Sequence, residues 1–335
     1  MPNANGGGYF RYHLSAPLQQ SLTESFDALD AREQRVYADS LMAGFKKGSL
    51  TSAQYLAALP RLVGAKAQET VTSTLGDVRW MWEQLIDEES QRAAFRAKVA
   101  DIYRPLLQQL GMDQKPGESD EDRKLREILV REFGFRLKDP VVRRLLAAHG
   151  RTVLGLDGDG KLHEDAVSRD LRGIALVVAT QDGGSAAFDL AEKHLLASAD
   201  PTLRSELLTA MGLVEDGALA VRLRALALTP DRIHPSEIGI IVQVQTMVPA
   251  LRAGIRDWLS KNFDALRADV GPMIGMGAIY VESAGACDTA SASRLQSRYA
   301  DRVRELDGGP MALKQAVERI GLCAALKKAH RGEPL

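Results

Sequence analysis

Missing from the sequence is any apolar run long enough to span a bilayer, which takes about 18 or more residues. The N-terminus opens on a polar Asn/Gly stretch rather than a basic-then-apolar leader, so neither a targeting segment nor direct membrane binding is expected. An excess of either charge is missing too. The chain holds 43 Lys and Arg against 44 Asp and Glu, a formal net charge of −1. That balance gives no electrostatic ground for binding nucleic acid or an anionic surface. Cysteine is nearly absent. Cys287 and Cys323 cannot build a disulfide framework and match no metal-ligand spacing. Their surroundings read as sites for small buried hydrophobes, and a single bridge between them stays open.

Catalytic constellations are also lacking. His163-Glu164 starts like a zinc helix of the form His-Glu-x-x-His, but Val167 stands where the second histidine is needed to grip one ion from one helix face. Asp157-Gly158-Asp159-Gly160 starts like a calcium loop. Lys161, Leu162 and Ser168 then replace the third oxygen ligand, the turn glycine and the bidentate glutamate. Gly275-Met276-Gly277 has neither the third glycine nor the strand–turn–helix context of a dinucleotide site. No Gly-x-Ser-x-Gly elbow and no Gly-Lys-Ser/Thr phosphate loop occur. The six histidines, at 13, 149, 163, 194, 234 and 330, follow no ligand spacing. No catalytic, cofactor-binding or metal-binding residue is therefore assigned to this chain.

What is present is helix. Leu125, Ile128, Leu129 and Phe133 keep helical spacing, as do Leu313, Ala316, Val317, Ile320 and Ala324. Ser21 with Glu24, Thr51 with Gln54 and Ser119 with Asp122 have capping-box spacing, and Asp139-Pro140 and Asp200-Pro201 predict helix starts. Gly44, Gly111, Gly150 and Gly212 predict stops. The acidic groups Asp87-Glu88-Glu89 and Glu118–Asp122 fall at expected helix starts, where carboxylates oppose the helix dipole. Arg35 and Asp39, one turn apart, are expected to pair. A weak repeat runs Asp139-Pro140-x-x-Arg143-x-x-Leu146 to Gly150, then Asp200-Pro201-x-x-Arg204-x-x-Leu207 to Gly212. Its 61-residue offset fits two helical hairpins of about 30 residues each, which stack into an α-solenoid with a concave face. Ile238–Met247 is apolar almost all round, as an inner helix of such a stack would be.

Gly8-Tyr9-Phe10-Arg11-Tyr12-His13-Leu14 departs from this pattern and reads as one orphan β-strand. A lone strand leaves its backbone groups unpaired, so its sheet is expected to lie in preceding sequence. The expectation is thus residues 1–16 as the last strand of a preceding β-sandwich domain, and 17–335 as an all-α domain.

The order of features resembles the C-terminal helical domain of the aminopeptidase N family of zinc metallopeptidases. Asn3-x-Asn5 with Gly8-Tyr9-Phe10-Arg11 and Leu14 resembles the strand closing the small β-sandwich of those enzymes. Leu29, Arg32-Glu33, Arg35, Asp39-Ser40 and Ala43-Gly44 follow like the family's next helix, then Gly48-x-Leu50 and Tyr55-Leu56. Trp80 and Trp82, Leu110-Gly111, Gly117-Glu118-Ser119 and Leu125-Arg126 keep the family order. Trp258 to Asn262-Phe263 departs from it at Arg256 and Phe263, where the family has Trp. Leu313-Lys314-Gln315-Ala316-Val317-Glu318 with Ile320 is similar to its closing helix.

The resemblance implies an array of HEAT/armadillo-like hairpins covering a catalytic domain of the same polypeptide. Zinc would be held in that absent domain, with no cofactor in this chain. The implied role is non-catalytic: capping the active-site chamber, gating peptide substrates and contributing to selection by length. Arg232, Gln243 and Gln245 are the candidate peptide contacts, because they interrupt an apolar inner segment. The alternative is a free-standing α-solenoid scaffold for a protein partner. Such an array needs polar capping helices at both ends, and the N-terminus offers an aromatic strand instead.

Overall fold

A computed structural model describes residues 1–271 and 274–330. Sixteen α-helices and no strand occur among the described residues, so the all-α expectation holds. The chain divides into two compact units, Met1–Val130 with Leu322–Leu335, and Arg131–Gly321.

The first unit contains α1 (Ala16–Glu24), α2 (Ala31–Lys47), α3 (Ser52–Val63), α4 (Gln68–Leu85), α5 (Glu89–Leu110) and most of α6 (Asp120–Arg131). Local chemistry sets several ends. The Asp30 carboxylate accepts from the Glu33 amide at 2.9 Å, and Glu33 returns the bond to the Asp30 amide at 3.1 Å. Thr51 and Gln54 form the expected box, and the Ser119 hydroxyl accepts from the Asp122 amide at 3.1 Å. Gly111, at φ 82°, ends α5 as expected. The core is built on Tyr37, Phe45, Tyr55, Leu59, Leu62, Val78, Met81 and Tyr103, all buried. Phe45 packs on Tyr55, and Trp82 meets Phe95 edge-on with centroids 6.1 Å apart. Below the 111–119 loop, the buried Arg126 guanidinium grips both oxygens of Glu118 at 3.0 and 2.9 Å.

Three expectations fail here. Ser21 does not start a helix but lies inside α1, which begins at Ala16-Pro17. Gly44 does not end one: α2 runs to Lys47 and stops at Gly48, φ 78°. The strand expected within 1–16 is not formed. Residues 10–15 are an irregular arm, with no ladder partner among the described residues. The Asn3 amide replaces one, donating to the carbonyls of Gly8 at 2.7 Å and Phe10 at 3.4 Å and accepting from the Gly8 amide at 2.8 Å.

The second unit contains α7 (Pro140–Leu154), α8 (Arg169–Ala197), α9 (Pro201–Gly212), α10 (Gly217–Ala227), α11 (Pro235–Met247), α12 (Arg252–Lys261), α13 (Phe263–Val270), α14 (Ile274–Ser283), α15 (Thr289–Tyr299) and α16 (Gly309–Ala329) up to Gly321. α7 packs on α8, α8 on α9, α9 on α11, α11 on α12 and α14, and α14 on α15. Packing between near neighbours in sequence is the pattern of a helical array.

The weak repeat proves structural. Asp139 and Asp200 both cap their helices through the side chain, and Leu146 and Leu207 are both fully buried. Each repeat arginine donates to a carbonyl nine residues back, Arg143 to Gly134 at 2.9 Å and Arg204 to Leu195 at 2.7 Å. Each also reaches forward, Arg143 to Gln181 and Asp182, Arg204 to Glu237. The fourth residue of each helix thus ties the preceding segment to a later helix. Gly150, expected as a stop, sits inside α7, which ends at Gly155 (φ 67°). α8 breaks at Gly184, whose φ 58°, ψ −140° only glycine adopts without strain. Neither cysteine is a free thiol.

Candidate functional site

The three candidate peptide contacts prove to have different surroundings. α11 turns Ile238, Ile241, Val242 and Val244 into the core and leaves Ser236, Gly239 and Gln243 exposed at helical spacing. Gln243 is therefore on the solvent face. Gln245 is fully buried, accepting from Arg224 at 2.9 Å and donating to the Ala220 carbonyl at 3.0 Å, so its amide is spent on α10. The polarity that made Gln245 a candidate peptide contact serves a buried arginine. Arg232 is exposed and precedes α11 rather than interrupting it. Its carbonyl accepts from Arg204 at 3.3 Å.

Arg204 organises this region. Its guanidinium donates to both Glu237 oxygens at 2.6 and 2.8 Å, and to the Leu195 and Ser198 carbonyls at the end of α8. Burial pushes the Glu237 carboxyl up. The Arg204 bonds and the His234 amide outweigh that and hold it below the ordinary glutamate value. Arg172 repeats the device one step earlier, bonding Glu206 at 2.7 and 3.2 Å and Glu164 at 3.1 Å. These arginines fix the ends of successive helices, and with them the loop that presents Arg232.

The motif fragments rejected from the sequence are satisfied internally. Asp157 pairs with Arg151. Asp159 accepts from the Lys161 amide at 2.9 Å and lies 3.0 Å from the His163 ring. No group of three His, Cys, Asp or Glu able to hold a metal occurs among the described residues. No single helix among them is long and apolar enough to cross a membrane.

A second locus was not evident from the sequence. A cleft of about 680 Å3 is lined by the arm residues Asn3, Gly8, Tyr9, Phe10 and Arg11, by Arg35, Val36 and Asp39 of α2, and by Ser73 and Asp77 of α4. Asp39 is bound by Arg11, at 2.7 and 3.1 Å, and not by Arg35 as expected. Sequence spacing shows neighbours on one helix but not a competitor from the arm. Burial pushes the Asp77 carboxyl up to about 6. Lys46 opposes the shift, Asp39 adds to it, and Tyr55 opposes it weakly.

That shift has a consequence for stability. A folded pKa above the unfolded one means that ionised Asp77 destabilises the fold above pH 6, and that the penalty fades as pH falls from about 6 to about 4. Asp77→Asn should therefore be more stable than the native protein at pH 7, by about 2 kcal/mol. Urea unfolding of both proteins at pH 7 and pH 4 checks this: the advantage should vanish at pH 4, and equal stability at pH 7 would refute it.

The model of the family described as ERAP1-like C-terminal domain matches residues 1–322. The chain belongs to that family. It is thus an aminopeptidase C-terminal domain of the ERAP1-like kind, all-α and without a metal-holding group among its described residues. Membership places a catalytic domain in the same polypeptide. No curated protein matches the chain.

Proposed function

We propose that this domain is the non-catalytic lid of a zinc aminopeptidase. It caps the active-site chamber, gates peptide access and contributes to selection by length. The observation that carries the reading is the family match over residues 1–322. In this reading the helices form HEAT-like hairpins, and residues 1–16 are an arm belonging to a preceding β-sandwich domain. A rigid helical wall over a metal site excludes water and folded protein while admitting extended chains. Its displacement would set access and release. Arg232 and Gln243, the two exposed candidates, would meet the part of the peptide remote from its N-terminus. Arg232 supplies a cation for a peptide carboxylate, and Gln243 supplies an amide that can donate to and accept from peptide backbone.

Contacts remote from the scissile bond affect long substrates only. In the full-length enzyme, Arg232→Ala with Gln243→Ala should lower kcat/KM for long peptides by about tenfold and leave dipeptide-sized substrates unchanged. Steady-state kinetics on a series of peptide lengths is the check. A kcat/KM ratio of long to short substrates equal to that of the native enzyme would remove these residues from the reading.

A further inference from the structure

The cleft beneath the N-terminal arm holds four charged groups that do not cancel in pairs. Arg11 and Asp39 close on each other through two hydrogen bonds. Arg35 and Asp77 face the same cleft, and neither makes an ion pair among the described residues. Among the groups lining the cleft, one anion and one cation are thus left over, with Asp77 only partly opposed by Lys46, which does not line it. Tyr9 and Phe10 add two exposed aromatic rings, Tyr9 fully exposed and Phe10 half-exposed. The arm that carries them is held in place, since the buried Asn3 side chain makes three hydrogen bonds to Gly8 and Phe10.

We propose that this cleft binds a free α-amino acid, with its ammonium group at Asp77, its carboxylate at Arg35 and its side chain against Tyr9 and Phe10. Charge complementarity selects this class. A simple cation leaves Arg35 unmatched, and a simple anion leaves Asp77 unmatched. A zwitterion satisfies both. The volume, about 680 Å3, lies within the range of about 300–1,000 Å3 typical of small-molecule sites. Aromatic rings beside an ammonium add a cation–π contribution and favour an apolar ligand side chain. The cost of keeping the half-buried Asp77 ionised supports a binding role. A group that lowers stability and faces a cavity is a candidate functional residue, and a helix that needed only stability would carry Asn there. The proposal does not rest on the aminopeptidase reading.

Isothermal titration of the full polypeptide with L-phenylalanine, N-acetyl-L-phenylalanine and L-phenylalaninamide tests it. L-Phenylalanine should bind, and removing either ligand charge should weaken binding at least about tenfold. Asp77→Asn and Arg35→Gln should each do the same to L-phenylalanine. Neither variant threatens the fold, since the first relieves a half-buried charge and Arg35 is exposed. No heat of binding at about 10 mM ligand, equal affinity for all three ligands, or affinity unchanged in either variant would overturn the proposal. The last outcome would place any bound amino acid elsewhere in the polypeptide.

Discussion

Gly150→Ala should destabilise the protein by about 3 kcal/mol or more, although alanine is the better helix former by about 1 kcal/mol. The reason is a close approach between helices. A Cβ on Gly150 would lie 2.1 Å from the Ala175 carbonyl oxygen of α8, and 2.6 Å from both the Ala175 carbonyl carbon and the Ala179 Cβ. Two of those three atoms are backbone, so no rotamer change relieves the clash. α7 and α8 must separate, and the buried Leu146 and Val178 lose their packing with them. Gly239 in α11 is the control. Nothing lies within 4 Å of the position its Cβ would take, so Gly239→Ala should gain about 0.5–1 kcal/mol. Chemical denaturation of the two variants should therefore shift the midpoint in opposite directions. A stabilised Gly150→Ala would mean that the α7–α8 crossing is wrong.

Breaking the Arg204–Glu237 pair should be similarly costly. Both side chains are nearly buried, and Arg204 spends its remaining donors on the Leu195, Ser198 and Arg232 carbonyls. Arg204→Met strands the Glu237 carboxylate and leaves those carbonyls unpaired, for a loss of about 3–5 kcal/mol. Glu237→Gln keeps the shape and some of the bonding, so it should cost less, about 2 kcal/mol. The double variant should cost less than the sum of the two, because the partners act as one unit. The pH response has a defined sign. Glu237 is held below its ordinary value, so the pair contributes fully above the unfolded carboxyl pKa of about 4.3 and is lost as pH falls through the lower folded value. Acid unfolding of Glu237→Gln should lack that component. A native-like denaturation midpoint for Arg204→Met would contradict the assignment of Arg204 as the residue that ties α8, α11 and the Arg232 loop together.

These two sites mark what the sequence could and could not disclose. Helix starts were legible at four places where the signal is local, although the same spacing at Ser21 and Glu24 falls inside α1. Thr51, Ser119, Asp139 and Asp200 cap helices through bonds to residues two or three positions on, which spacing alone reveals. The repeat at Asp139 and Asp200 was legible for the same reason, and its arginines turned out to be interhelical ties. Glycine was ambiguous. Gly111 ends a helix, whereas Gly44 and Gly150 are notches for Leu50 and for Ala175, and only a partner's position separates the two uses. The arm misled because aromatic alternation signals a strand only when a neighbouring strand supplies the ladder, and here the Asn3 amide takes that place.

The candidate sites were harder to read, since both depend on non-local partners. Gln245 looked like a polar interruption of an apolar helix, yet it is polar in order to satisfy Arg224, 21 residues away. Asp77 carried a signal that could have been used. Thr70, Ser73, Thr74 and Asp77 form a polar stripe at helical spacing on α4, and two of its members are fully buried. A polar stripe facing inward marks either a hydrogen-bonded seam or a cleft. The resemblance to the aminopeptidase C-terminal domain was legible because it rests on the order of many short motifs, and the family match spans the same residues.

We propose that this domain works as part of a zinc aminopeptidase. The most direct test is to capture the native protein with an antibody against this sequence, then measure its mass, zinc content and release of N-terminal residues from peptides. The account predicts a polypeptide well above the 36.5 kDa of this chain, carrying zinc and active on peptides. A native species of 36.5 kDa with neither zinc nor peptidase activity would contradict it.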